Sequence, residues 1–182
     1  MILDSSDINE KNKNIENINK QKNKIKIKYY FKKKPPTQII KIFVKKILTK
    51  YCIIAADDDF YIVSTINYFV NFLENNKKIK IINGNAMRLD IVNEERVLVN
   101  KYYISKNLEI NNPLSRLSRY LNNYGPINTS LILTKNIKKI FEFLPEEKII
   151  KKKCPIKSIN DEILIGSLMV LSSNIYHTNK LY

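Results

Sequence analysis

The sequence predicts an α/β protein in which helices cover a mostly parallel β-sheet. Residues 51–56 form a continuous apolar run, typical of a strand buried on both faces of a parallel sheet. From residue 61 onward the apolar residues follow a helical period that ends at Asn75-Asn76. An alternating strand at 25–31 and an amphipathic helix at 37–50 precede the central run. Strand, helix and strand at this spacing form a right-handed βαβ unit, so we expect its two strands to be parallel.

The first 24 residues carry weaker patterns. Residues 1–7 resemble the end of a strand that breaks into an Asx/Ser turn. Residues 8–24 are rich in Asn and Lys with only sparse isoleucines. This composition predicts either a weak surface helix or a partly disordered segment.

The remaining elements follow from shorter signals. A strand at 78–83 precedes Asn83-Gly84-Asn85, where we expect a turn with left-handed backbone at Gly84. The later patterns predict paired strands at 86–92 and 96–104 and a helix at 112–124 that Asn112-Pro113 opens. A strand at 129–134, a short helix at 136–144 capped by Asn136 and a buried helix at 158–171 follow. The whole chain, 1–182, is interpreted as a single domain.

Composition narrows the class of protein. The 182 residues are 44% hydrophobic and 27% charged, as in an ordinary globular protein. A single histidine argues against Ser-His-Asp or Cys-His nucleophiles, and two cysteines suggest neither a disulfide framework nor a zinc site. The net charge of +15 is concentrated in residues 1–50, which hold 14 lysines and four acidic residues. Lys, Asn and Ile share A/T-rich codons and no nucleic-acid motif accompanies the charge, so we do not expect nucleic acid as the partner.

Three consecutive carboxylates, Asp57, Asp58 and Asp59, follow the central strand directly. In open α/β sheets the crevice beyond the carboxyl ends of the strands is where ligands bind. Adjacent carboxylates repel one another, and a hard divalent cation with oxygen ligands relieves the repulsion. In extended chain Asp57 and Asp59 share one side, for a metal or a sugar hydroxyl, and Asp58 braces the loop. The alternative is that the acids decorate a solvated turn near the next helix's positive end.

The segment Ile54-Ala55-Ala56-Asp57-Asp58-Asp59-Phe60, with a helix ending in Phe72-Leu73-Glu74-Asn75, resembles the D-x-D region of GT-A glycosyltransferases. It is most similar to the family-two-like group that carries A-D-D-D-F. The resemblance implies a three-layer α/β sandwich with helices on both faces of the sheet. It also implies that Asp59 holds Mn²⁺ or Mg²⁺ on the donor diphosphate and that Asp57, with Asp58 beside it, binds the donor. The first strand and helix of that family are missing ahead of Met1, so the resemblance describes an N-terminally truncated domain.

The same resemblance assigns further residues. Asp4, with Ser5 beside it, matches an Asp-Ser-Ser whose Asp reaches the nucleobase of the donor; the alternative is a frayed terminus. Arg116 could steady the diphosphate and Tyr124 could face a sugar acceptor, although a solvated arginine and a structural tyrosine are the simpler interpretations. Asp161, or failing that Glu162, matches the general base at the start of a late helix. Asp161 also fits a capping box with Ser158, and one residue can serve both purposes.

The resemblance therefore implies an inverting, metal-dependent glycosyltransferase that moves a sugar from a nucleotide-sugar donor to a glycan or another hydroxyl acceptor. The rival hypotheses are a non-catalytic, truncated transferase-like module, a basic nucleic-acid-binding module, and metal-dependent phosphoryl transfer through the same acids. The sequence contains no run of about 18 apolar residues and no secretory type of leader. We expect a cytoplasmic protein, with peripheral contact at the inner membrane surface left open.

Overall fold

The computed structural model describes residues 1–21, 26–92, 96–103, 107–125, 127–144 and 157–182. Its strands are β1 (Ile2–Asp4), β2 (Tyr29–Phe31), β3 (Tyr51–Cys52), β4 (Ile81–Val92), β5 (Arg96–Tyr103), β6 (Leu131–Leu133) and β7 (Ile175–Leu181). Its helices are α1 (Ile8–Gln21), α2 (Pro36–Phe43), α3 (Val63–Asn75), α4 (Pro113–Asn122), α5 (Thr134–Phe143) and α6 (Lys157–Ser172). A 3₁₀ turn at Val44–Lys46 follows α2. Helices and strands alternate along much of the chain, so the predicted α/β class is confirmed.

The larger sheet is mixed, and the prediction of a mostly parallel sheet is wrong. Its strand order is β3-β6-β4-β5, with β7 also paired to β4. The β4–β7 pair is parallel, whereas β6 runs antiparallel to both β3 and β4, and β5 runs antiparallel to β4. Strands β3, β4 and β7 consequently point the same way. Their carboxyl ends meet at one edge of the sheet, together with the amino end of β6.

The predicted βαβ unit also pairs differently from expectation. Strand β2 is hydrogen-bonded to β1 in a separate two-stranded parallel sheet, with α1 as the connection. Strand β3 pairs with β6 and not with β2. Helix spacing constrains the direction in which the chain returns, but the choice of neighbouring strand depends on contacts distant in sequence.

Helices cover both faces of the larger sheet, because alternate residues of each strand enter different apolar clusters. Ile81, Ile132 and Ile175 pack into a cluster built with α5 and α6. The residues next to them, Ile82, Leu131 and Tyr176, face the other side, where the buried residues of α3 are Phe69 and Leu73. Period-two alternation therefore divides the core between the two faces of the sheet.

Strand β4 runs unbroken through Gly84, so the predicted turn at residues 83–85 is wrong. The backbone of Gly84 is not left-handed either; the requirement for glycine comes from close packing. A Cβ atom at this position would lie 2.2 Å from the carbonyl oxygen of Lys180 on β7. The β4–β7 register shifts between Asn83 and Asn85, and this irregularity brings the two backbones together at Gly84.

Helix boundaries and faces correct several smaller predictions. Residues 8–21 form helix α1 with Ile18 buried, and residues 22–24 lie outside the described part. Helix α2 ends at Phe43, which leaves Leu48 87% exposed. Helix α4 begins after Asn112, whose side chain caps it as predicted, but Leu114 and Leu121 face solvent. Helix α5 begins at Thr134 without a side-chain cap, so the predicted Asn136 cap is wrong.

Candidate functional site

Strand β3 is confined to Tyr51–Cys52, is half-buried and lies at one edge of the larger sheet, so the prediction of a strand over residues 51–56 buried on both faces is wrong. The acid loop, residues 57–59, follows β3 after four further residues, on the side of its carboxyl end. All three carboxylates are exposed. Residues 57–58 form a turn, so the alternation expected of extended chain does not apply. Asp59 closes this turn itself, because its Oδ2 accepts a hydrogen bond from the Ala56 amide at 2.9 Å. Asp59, and not Asp58, therefore braces the loop.

Two tyrosines connect the acid loop to the core. The hydroxyl of Tyr61 lies 3.4 Å from the Ile54 carbonyl and 3.5 Å from Oδ2 of Asp59, and these two acceptors share its single proton. The Tyr61 ring packs on Tyr182 with centroids 5.9 Å apart. The Tyr182 hydroxyl shares a hydrogen bond of 2.8 Å with Thr129 Oγ1. Burial, with a contribution from the Asp59 charge, raises the pKa of Tyr61, and it raises the pKa of Tyr182 to about 12. Both phenols therefore stay protonated near neutral pH and can act as hydrogen-bond donors.

A second polar group forms where the loop before β6 meets α6. Tyr124 donates to Glu162 Oε2 at 3.2 Å, and the Asn128 side-chain amide donates to the Glu162 carbonyl at 3.1 Å. The Tyr124 ring packs on Tyr120, with centroids 5.6 Å apart. The structure thus brings together two residues predicted separately, Tyr124 and Glu162.

Buried polar atoms lie behind this pair. The Tyr120 hydroxyl and the Asn128 Oδ1 are buried without a hydrogen-bond partner in the described part of the chain. Burial, followed by the charge of Glu162 and the neighbouring Tyr124, raises the pKa of Tyr120. Tyr120 abuts Gly166, where an added Cβ would lie 2.1 Å from its hydroxyl oxygen. Glycine at position 166 therefore allows α4 and α6 to approach closely.

The two polar groups are connected through neighbouring residues of one loop. Asn128 contacts Glu162, and Thr129, the next residue, contacts Tyr182. Asp161, the first candidate for the base, has a side chain outside the described part of the chain. The predicted capping box of Ser158 and Asp161 also depends on side chains outside the described part of the chain, so it stays a prediction.

Arg116 is a structural residue, contrary to the expectation of a solvent- or phosphate-facing side chain. It is 4% exposed, and its guanidinium donates to carbonyl oxygens of Val170 at 2.8 Å and Leu171 at 3.2 Å. It also donates to Asn174 Oδ1 at 2.8 Å and to the carbonyls of Ile110 and Asn111. Its donors are thus directed at the last turn of α6 and the loops beside it. Such a guanidinium is not available to a diphosphate.

Asp4 likewise has a structural role that replaces the expected contact with a nucleobase. Its carboxylate accepts hydrogen bonds from the Ser6 amide at 2.8 Å, the Ser6 hydroxyl at 2.6 Å, Asn14 at 3.1 Å and the Tyr29 hydroxyl. Burial opposes ionisation, but these bonds outweigh it and lower the pKa of Asp4 to about 2. The carboxylate therefore joins β1, α1 and β2, and Ser5 beside it is half-buried.

A divalent cation, implied by the D-x-D resemblance, would find a partial ligand set in the acid loop. Among the described residues no group of three or more His, Cys, Asp or Glu side chains converges. Asp57 and Asp58, however, present exposed carboxylates that no described side chain engages, and the turn leaves Oδ1 of Asp59 without a hydrogen bond. Oxygen donors in this number suit Mg²⁺ or Mn²⁺, which take their remaining ligands from water and substrate phosphates. The described residues alone therefore form no complete metal site, and the exposed carboxylates of the acid loop would supply only part of the ligand shell of such an ion.

No protein-family model matches this chain. No curated protein matches it at a significant level. Within the part of the chain that the structure describes, no helix combines the length and the apolar content needed to cross a bilayer.

Sequence reasoning missed Tyr61, Tyr120, Thr129 and Tyr182 as members of the site. Each lies in an ordinary local context, and their contacts join residues that are far apart in the chain. The apolar surroundings of Tyr61 and Tyr120 were the signals available, but a tyrosine at a helical apolar position is equally typical of a core residue.

Proposed function

We propose that this chain is a glycosyltransferase-like protein of GT-A type that binds a nucleotide-sugar donor and a divalent cation at the acid loop. The observation that carries the proposal is the position of two polar groups around one loop. Asn128 and Thr129, adjacent in sequence, contact the Glu162 backbone on one side and the Tyr182 hydroxyl beside the acid loop on the other. In this proposal the acid loop supplies the donor-binding carboxylates and Glu162 supplies the candidate base, on the two sides of residues 128–129.

The acid loop is assigned to the donor. Asp57 and the unbonded oxygen of Asp59 would hold Mn²⁺ or Mg²⁺ together with the donor diphosphate. When bound, such an ion supplies positive charge against the negative charge that develops on the departing diphosphate. Tyr61 keeps Asp59 oriented through its hydroxyl, and Ala56 fixes the turn.

Glu162 is assigned to the acceptor. Its carboxylate is exposed and accepts a hydrogen bond from Tyr124, so the phenol fixes its orientation. In an inverting displacement Glu162 takes the proton of the acceptor hydroxyl as the new bond to the anomeric carbon forms and the bond to the diphosphate oxygen breaks. Asp161 remains the alternative base. The exposed face of the Tyr124 ring suits the C–H surface of a sugar.

The proposal is tested by donor binding and hydrolysis. A thermal-shift panel of UDP-, GDP-, CMP- and dTDP-sugars, with and without Mn²⁺, should identify one donor that stabilises the protein only with the metal. Asp57→Asn should abolish this metal-dependent shift. Glu142→Gln, at an exposed carboxylate of α5, is the matched control and should leave the shift unchanged.

The assignment of the base is tested with the donor identified in that panel. Glu162→Gln should lower turnover about 10²-fold or more while donor affinity changes little. A loss of turnover of this size in Asp161→Asn, in place of Glu162→Gln, would assign the base to Asp161. If no nucleotide-sugar stabilises the protein with Mn²⁺, or if the shift survives Asp57→Asn and EDTA, the proposed donor site is wrong.

A further inference from the structure

A cavity of about 630 Å³ lies at the sheet edge opposite the acid loop. Its walls come from the segment before β3, the end of α3, the residues that enter β4, and the junction between β6 and α5. These are the amino ends of β3 and β4 and the carboxyl end of β6. The cavity is therefore separate from the acid loop and from Glu162.

The rim of the cavity is strongly basic. Five lysines and no acidic residue are among the described residues that line it: Lys50, Lys77, Lys80, Lys135 and Lys138. Glu74 pairs with two of them, at 2.5 Å from Lys50 and 2.8 Å from Lys77. Lys138 donates to the Ile47 carbonyl at 2.8 Å, and Lys135 is exposed and makes no described ion pair or hydrogen bond. One carboxylate against five ammonium groups leaves a positive field over the opening.

The start of α5 adds to this field. The helix begins at Thr134 with no side-chain cap and no acidic residue in its first turn. Thr134 and Lys135, its first two residues, both line the cavity. The Thr134 hydroxyl is buried and has no described hydrogen-bond partner within ordinary distance, with only the weakly polar thiol of Cys52 nearby. The Thr134 amide donates to the Lys50 carbonyl at 2.9 Å, and the helix dipole favours an anion at this point.

The interior of the cavity is apolar. Leu73 is buried at its base, and Ile47, Ile79 and Leu133 are half-buried around it. Leu48 lines the opening and is 87% exposed, although it belongs to the apolar pattern of residues 37–50. A small hydrated anion such as free phosphate would leave these apolar walls in water. A ligand that buries them must itself be apolar on one side.

We propose that this cavity binds an anionic amphiphile, with its phosphate head group at the start of α5 between Lys135 and Lys50 and its alkyl chain on the apolar walls. Charge complementarity selects the head group, and the volume accommodates a short alkyl chain. The site extends the chemistry of the protein beyond the proposed transfer reaction and does not depend on it. A soluble alkyl phosphate and an acidic phospholipid in a membrane share this chemistry.

The test measures binding of octyl phosphate below its critical micelle concentration by calorimetry. Inorganic phosphate and octyl glucoside are the reference probes, since each carries one half of the proposed ligand. We expect octyl phosphate to bind at least about tenfold more tightly than either probe, because only it satisfies both the basic rim and the apolar walls.

Charge reversal at one lysine separates a defined site from general attraction to a basic protein. Lys135→Glu should weaken octyl phosphate binding about tenfold. Lys139→Glu is the matched control, because Lys139 is an exposed lysine of the same helix that does not line the cavity. It should change binding by less than about twofold, since exposed charges away from the site are screened by salt. Both side chains are on the surface, so the two variants should fold alike.

Vesicles distinguish the two sources of the ligand. Sedimentation with phosphatidylcholine vesicles that contain phosphatidate, and not with pure phosphatidylcholine, would assign the site to a membrane lipid. Binding of octyl phosphate without vesicle binding would assign it to a soluble amphiphile. Equal weakening by Lys135→Glu and Lys139→Glu would overturn the proposal, as would inorganic phosphate or octyl glucoside binding as tightly as octyl phosphate.

Discussion

Replacement of Arg116 by methionine tests whether this side chain stabilises the fold or serves a ligand. Methionine keeps much of the volume of the buried side chain but removes every donor of the guanidinium. The carbonyls of Val170 and Leu171, at the last turn of α6, then lose partners at 2.8 and 3.2 Å. Asn174 Oδ1 loses another at 2.8 Å.

The expected loss of stability is the difference between the hydrogen bonds that the guanidinium makes and the free energy that its burial costs. A hydrogen bond to a charged group contributes about 1.5–3 kcal/mol, so the bonds to Val170, Leu171 and Asn174 alone give a gross stabilisation of about 5–9 kcal/mol. Burial of the guanidinium costs several kcal/mol, and it lowers the pKa of Arg116 for the same reason. We expect Arg116→Met to reduce the free energy of unfolding by about 3 kcal/mol, and the Tm by about 6–12 °C for a chain of this size. Arg116→Lys should rescue only part of this loss, because one ammonium group cannot reproduce the planar fork.

Urea denaturation followed by circular dichroism measures these differences. Arg119→Met is the matched control, since Arg119 is exposed on the same helix and its replacement should change stability by less than about 0.5 kcal/mol. If Arg116→Met and Arg119→Met were equally stable, the buried network would contribute nothing. If Arg116→Met kept its stability but lost affinity for a nucleotide, the ligand-facing role expected from the sequence would be restored.

Two further predictions concern other buried polar groups. The pKa of Asp4, lowered to about 2 from 3.8, means that its contribution to stability is complete above pH 4 and is lost as the pH falls towards 2. The free energy of unfolding, measured as a function of pH, should therefore decrease by about 1–2 kcal/mol in this window, after allowance for solvent screening. Asp4→Asn should abolish this decrease. If the variant showed the same pH profile as the unchanged protein, the assignment to Asp4 would be contradicted. Gly166→Ala should destabilise the protein by about 1–3 kcal/mol, because its Cβ would lie 2.1 Å from the Tyr120 hydroxyl oxygen. Tyr120→Phe, which deletes a hydroxyl that has no partner among the described residues, should relieve part of the loss in the double variant, and additive effects in a double-mutant cycle would refute the contact.

Local sequence patterns predicted which helices and strands form better than they predicted which strands pair with one another. The Asn112 cap and a helix near residues 136–144 are confirmed, because capping and helical periodicity act within a few residues. Strand partners depend on contacts across the whole chain. No local pattern shows that β6 lies antiparallel between β3 and β4, so the direction of the sheet was predicted wrongly.

The buried face of α4 shows why residue type alone misled the interpretation of Arg116. Leu114 and Leu121 are exposed, whereas the helix buries Arg116 and Tyr120. An arginine is rarely buried unless its donors are satisfied, and three of the acceptors of Arg116, on Val170, Leu171 and Asn174, lie more than 50 residues away in the chain. Gly84 gave a similar error. A glycine between two asparagines is typical of a turn. Glycine is required at position 84 because β7 packs closely against it, and the sequence of one strand does not reveal that contact.

The candidate site was predicted in part. The position of the acids at the end of β3 follows from the apolar run before them, and Glu162 and Tyr124 were both named as candidates. Their contact was not foreseen, and neither were the tyrosines around Asp59, because 38 residues separate the first pair and 121 separate Tyr61 from Tyr182. Asp4 and Arg116 failed as ligand-binding candidates for one reason: the protein itself satisfies their hydrogen-bonding groups.

The opposite placement of acids and lysines along β3 gives this region an electric polarity. Negative charge is concentrated where the strand leads into residues 57–59, and positive charge where Lys50 precedes it, with Lys135 and Lys138 nearby. A surface of negative potential exerts a torque on such a molecule and attracts its lysine-bearing pole. Adsorbed in that orientation, the protein would hold the three aspartates outward, toward the bulk solution. The salt concentration at which this alignment disappears would measure how strongly the two poles differ.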